Sequence, residues 1–191
     1  MPLIECTLIE GYGSDTRRLV SERITDAACS AIGASPEFVI VTIKEVALEN
    51  YMRGRSQKTP APAPLQPDEI VKKFLALVQD RKLSDAQMWL AEGAQMIFPG
   101  GQCFTDLSEL VAWTKTCYQS VSKTFERIET TFKSQDASVY CYGTLQGIWS
   151  NGRHFKNIRF IDRFAITNGK ITKQEVWNDL ALAEVLKNDR A

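Results

Sequence analysis

The sequence predicts an α+β chain in two domains, and three observations carry that reading. Residues 56–67 hold Pro60, Pro62, Pro64 and Pro67, the first three alternating with alanine, which suits neither a helix nor a sheet ladder. The residues before this stretch read as strand, helix, strand. Those after it read as helices followed by four strand-like runs, the segregated order of an α+β domain. The expected organisation is a β-α-β domain over 1–55, a linker over 56–67 and a larger domain over 68–191.

In the first domain, Ile4, Cys6 and Leu8 alternate with Leu3, Glu5 and Thr7, the period of a strand. Gly11 and Gly13 mark a turn, and Ser14 is the expected N-cap of a helix. Leu19, Val20, Ile24, Ala27, Ala28 and Ala31 then recur at helical spacing, and Gly33 stands where a C-terminal glycine belongs. Val39, Val41 and Ile43 open a second strand. Two strands joined by a helix form a parallel pair. So short a unit cannot enclose a core alone, which predicts that it oligomerises or docks on another surface.

In the second domain, Asp68 opens a helix, and a short helix is expected around Ser84–Ala91. A strand over Ala94–Phe98 ends at Pro99-Gly100-Gly101, and Asp106–Tyr118 is again helical. The strand-like runs are Lys123–Lys133, Ser138–Trp149, Phe155–Thr167 and Lys170–Asp179, with turn signals at Asn151-Gly152 and Asn168-Gly169. A closing helix is expected over Leu180–Lys187.

Composition narrows the function classes. Of 191 residues, 44% are hydrophobic, and 23 basic side chains balance 23 acidic ones. Balanced charge supports no nucleic-acid partner. No apolar run reaches the roughly 20 residues that span a bilayer, and no signal peptide opens the chain, so the expectation is a cytoplasmic protein without membrane contact. Five cysteines without CxxC spacing read as free thiols, and no metal site or cofactor is expected.

The chemistry centres on Pro2. Inside a chain its nitrogen has no hydrogen; with Met1 removed it becomes a secondary amine. Apolar surroundings favour the neutral form of an amine, and a neutral amine serves as a general base near pH 7. Pro2-Leu3-Ile4, then Leu8-Ile9-Glu10-Gly11, then Ser14-Asp15 with Arg17, then Gly33, Pro36-Glu37 and a Val-rich strand ending at Glu45 resemble the 4-oxalocrotonate tautomerase family. The resemblance covers residues 2–55. It implies a catalytic amino-terminal proline and assembly around threefold axes, as a trimer or hexamer. The family's two substrate arginines fall on Tyr12 and Ile40 here, so the implied substrate is an enol or keto acid with an apolar body, not a dicarboxylate. The candidate substrate contacts are Tyr12, Tyr51, Arg53 and Arg55.

In the second domain, Ile158, Phe160, Phe164 and Ile166 share a strand face with Asp162, and an acid there must be paired, hydrated or protonated. Phe98-Pro99-Gly100-Gly101, Phe160-Ile161-Asp162-Arg163-Phe164 and Val176-Trp177-Asn178-Asp179 resemble the SnoaL-like, nuclear-transport-factor-2-like superfamily over residues 67–185. That resemblance implies a curved sheet wrapped by helices into a cone with an apolar cavity. Asp162, Phe160, Trp177 and Glu175 are the candidate cavity residues. The early strand offers Gln95, Met96 and Ile97 where a ketosteroid-isomerase base would stand. The reading favours a keto–enol tautomerase. Two alternatives stay open: a non-catalytic oligomeric protein that binds a small ligand, and isomerase or hydrolase chemistry in the cone with Asp162 as base.

Overall fold

Strand β1 (Leu3–Ile9) and strand β2 (Ile40–Val46) pair in parallel, with Leu3 opposite Ile40 and Ile9 opposite Val46. This is a computed structural model, which describes residues 1–134 and 136–183. Helix α1 (Ser14–Ile32) connects the two strands. It ends on Gly33 at φ 69°, whose N–H returns to the carbonyl of Cys29. Gly13 rather than Ser14 holds the N-cap position, without a side-chain cap, so Ser14 is already the first helical residue. A 3-10 turn at Leu48–Asn50 leads into a hairpin of β3 (Met52–Arg53) and β4 (Ser56–Gln57). Gly54 and Arg55 turn it with φ of 58° and 64°, a type I′ geometry. Ser56 and Gln57, read as linker, are thus strand residues: the hairpin register captures them ahead of the proline run.

The chain divides into two compact units, Met1–Pro64 and Leu65–Ala191. In the first, Ile9 is the only buried hydrophobic residue, and no residue of α1 is buried. Leu3, Ile32, Phe38, Ile40 and Met52 are all exposed. The unit contains one helix, one strand pair and a small hairpin, so its apolar side chains are only half covered.

The second unit starts at α2 (Pro67–Gln79), where Gln66 and Glu69 form a capping box and Pro67 fits the first turn. Helix α3 (Leu83–Gln87) is shorter than the expected Ser84–Ala91, because strand β5 (Leu90–Phe98) has already begun. Between Leu90 and Gln95 the strand bulges, with Gly93 at φ 69°, against only two steps of its partner. The bulge breaks the strict alternation that marks a strand. Strand β6 (Gln102–Phe104) and helix α4 (Leu107–Cys117) follow. Asp106 caps α4 by accepting from the N–H groups of Ser108 and Glu109 at 2.7 and 3.1 Å.

Four long strands complete the sheet: β7 (Tyr118–Lys133), β8 (Asp136–Trp149), β9 (His154–Thr167) and β10 (Lys170–Asn178). The order is β6-β5-β10-β9-β8-β7, antiparallel except for β10 against β5. One sheet face carries the core. Val139, Cys141 and Leu145 of β8 and Phe160, Phe164 and Ile166 of β9 pack with Ile70, Val71 and Phe74 of α2. Asp162 sits on that face, as the alternation predicted, and is fully buried. Trp177 does not join the core; it is 52% exposed. Gln174 and Val176 occupy the inward positions of β10, which turns Glu175 and Trp177 to the other face. Residues 180–183 are helical, and the rest of the expected closing helix lies outside the described residues.

Candidate active site

Pro2 stands immediately before β1. Its carbonyl accepts the N–H of Ile40 at 3.0 Å, so the ladder that aligns the strands also fixes the proline. The ring is half-buried, while Met1 is 86% exposed. Tyr12, also half-buried, lies beyond the other end of β1. Seven strand residues separate the two, about 23 Å at roughly 3.3 Å per residue. Tyr51, Arg53 and Arg55 follow the end of β2, which runs parallel to β1. Beyond them the chain passes Gly11, where a β-carbon would come within 2.9 Å of Pro60. Pro2 and Tyr12 therefore lie at opposite ends of the strand pair in one copy, and the Tyr51–Arg55 segment belongs to the Tyr12 side of the chain path.

Arg53 and Arg55 are exposed on the β3–β4 hairpin, and Tyr51 is half-buried beside it. Arg17 is already engaged. One of its guanidinium nitrogens donates to both carboxylate oxygens of Glu45 at 2.9 Å and to the Tyr12 carbonyl at 2.9 Å. It ties the start of α1 to the end of β2. Arg53 and Arg55 carry no such ion pair among the described residues.

A family model described as a tautomerase enzyme matches residues 2–59. A probable tautomerase of Halalkalibacterium halodurans is 31% identical over 51 residues, which are 27% of this chain and 84% of the relative. The chain belongs to the tautomerase family. Its tautomerase unit occupies the first third, and the second unit has separate structural relatives. An NTF2-like protein of unknown function from Burkholderia pseudomallei superimposes with a TM-score of 0.51 at 17% identity, covering 61% of this chain and 92% of that one. An NTF2-like protein from Burkholderia thailandensis gives 0.52 at 17% identity, covering 64% and 98%. The second unit of this tautomerase-family chain thus has the nuclear-transport-factor-2-like fold. Among the described residues, no helix is long and apolar enough to cross a membrane.

Within that second unit, a cavity of about 330 Å³ lies among α2, α4, β7 and β10. Of the expected cavity residues, Asp162 and Phe160 face inward, but neither stands on the cavity wall. Lys123 of β7 does. Its ammonium forms an ion pair with Asp162 and sits 4.8 Å from the centre of the Phe160 ring. The partner of Asp162 is thus neither Arg159 nor Arg163, the two cations nearest in sequence. Those point elsewhere: Arg159 donates to Asp179 at 2.8 Å and Arg163 to Glu175 at 2.6 Å. Glu175 and Trp177, expected in the cavity, instead lie on the opposite face, because Gln174 and Val176 take the inward positions of β10. Nothing local to Lys123 marks it in the sequence. Its meeting with Asp162 depends on strand register across β8, which stands between their two strands.

Cys141 is also buried on the inner face. Burial, with the Asp162 charge adding to it, pushes the thiol up to about 12. On the outer face, Glu175 is held below the ordinary carboxylate value, first by the hydrogen bond from Lys173 and also by that from Arg163.

Proposed function

We propose that this chain is a keto–enol tautomerase whose base is the secondary amine of Pro2, freed by removal of Met1. One observation carries the proposal: the family match begins at Pro2 itself and runs through the whole β-α-β unit and hairpin. The neutral nitrogen takes the proton from an enol oxygen. The resulting ammonium returns a proton to the conjugated carbon, leaving the ketone and the starting amine. Only protons move, so the cycle needs no electron carrier.

The substrate contacts in this reading are Tyr51 and Tyr12 against an apolar body and Arg53 or Arg55 against a carboxylate. The strand pair puts Tyr12 at the far end from Pro2 in a single copy. A working site therefore joins Pro2 of one copy to the hairpin of another, which also covers the exposed Leu3, Phe38 and Ile40. The substrate is an enol of an aryl-substituted keto acid, since Tyr12 and Ile40 offer no second cation for a dicarboxylate. Intact mass should show loss of Met1. The enol-to-keto rate with phenylenolpyruvate should fall about 100-fold or more in Pro2→Ala, the scale of a lost general base. An unchanged rate would reject the proposal.

A further inference from the structure

We propose that the cavity of the second unit binds a small molecule with an apolar body and a single carboxylate, with the carboxylate seated on Lys123. The site is independent of Pro2. Its volume of about 330 Å³ suits a bicyclic ligand. Most of the wall is apolar, including Phe74, Leu110, Val111, Phe125 and Ile128. Among the described residues, the charged side chains on the wall are Lys72, Arg81 and Lys123, with no Asp or Glu. Lys72 donates to Asp68 at 2.7 Å. Arg81 has no ion-pair partner among the described residues. The wall therefore favours an anion over a cation.

Lys123 makes that preference directional. An ammonium has three donors, and Asp162 takes one. Asp162 is completely buried, and its Oδ1 has no hydrogen-bond partner among the described residues. A buried ion pair is seldom the best way to stabilise a core, since apolar side chains of similar size often do as well or better. A pair that holds a lysine against a cavity, with donors to spare, is well suited to recognising an anionic oxygen. Asp162 is then a positioning residue, and Lys123 is the contact. Gln174, 4% exposed, adds an amide to the same wall.

The test is calorimetric titration of the full chain with 2-naphthoate and with its neutral counterpart 2-naphthylmethanol. Wild type should bind the carboxylate about tenfold or more tightly than the alcohol. The double variant Lys123→Met/Asp162→Leu removes both charges together, so no buried charge is left alone; it should bring the two affinities within about twofold. The near-isosteric neutral pair Lys123→Gln/Asp162→Asn serves the same purpose if that double variant loses a cooperative melt. Val111→Phe, which fills the cavity, should weaken both ligands. Equal affinities in wild type, no binding of either ligand at millimolar concentration, a preference that survives loss of Lys123, or binding indifferent to Val111→Phe would each overturn the proposal.

Discussion

Single residues in this chain divide into those whose role is set locally and those whose role is set by register. Pro2 is of the first kind, because the role proposed for it rests on its place directly ahead of β1. Glu175 is of the second kind. It read as a cavity acid, but the inward positions of β10 are Gln174 and Val176. On the outer face it accepts from Arg163 at 2.6 Å and pairs with Lys173 at 2.9 Å. That arrangement has a pH signature. The carboxyl is held below its ordinary value of 4.5, so its contribution to stability is present above that value. It is lost as pH falls through the lowered value. Glu175→Gln should therefore flatten the acid limb of a plot of urea midpoint against pH, with its largest difference from wild type above pH 5. A variant whose midpoints run parallel to wild type through pH 3 would contradict this assignment.

At the scale of elements, hydrophobic period and turn chemistry located the helices and the longer strands but not the short β3, β4 and β6, and the departures have physical causes. The start of β5 falls inside the helix expected over Ser84–Ala91, because its bulge at Gly93 scrambles the alternation. Trp177 is expected in the cavity and stands on the outer face, because an isolated aromatic says nothing about which face of a strand it occupies. The register shift of β7 against β8 is not legible in the sequence either, since it is set by pairing between residues distant along the chain. Strand β7 shifts register against β8 between Phe125 and Arg127, opposite Gly143. A β-carbon on Gly143 would fall 1.9 Å from the Thr124 carbonyl oxygen and 3.1 Å from the Phe160 ring. The obstacle is backbone, which cannot swing aside as a side chain can. Gly143→Ala should thus cost about 3 kcal/mol, the upper part of the range for an overpacked core. It should also disturb the neighbouring Lys123, because the same bulge sets where β7 meets β8. The urea midpoint measures the first effect, and the 2-naphthoate affinity measures the second. A wild-type midpoint would mean that the strands relax apart at this point without cost.

At the scale of the whole molecule, the first unit does not close its own core, and it does not assemble its own candidate site. The second has a geometric cause. A parallel pair of seven-residue strands places its two ends about 23 Å apart, so the residue before β1 and the loop after it cannot touch the same small substrate. Sequence alone named Pro2, Tyr12, Tyr51, Arg53 and Arg55 as a set, because a list of residues carries no distances. If the site joins two copies, two defective chains should rescue each other. Pro2→Ala lacks the base, and Arg53→Ala/Arg55→Ala lacks the cations. Each alone should be nearly inactive on phenylenolpyruvate. Unfolded together in equal amounts and refolded, they should form mixed oligomers. Random assembly then unites an intact Pro2 with an intact hairpin at about one site in four, which sets the activity to expect relative to wild type. Mixing them without unfolding should restore little if the oligomer exchanges slowly. A site contained in one chain predicts no rescue under either protocol, because every chain then lacks one half of its own machinery. The yield of rescue therefore distinguishes a shared site from a self-contained one without knowledge of the natural substrate.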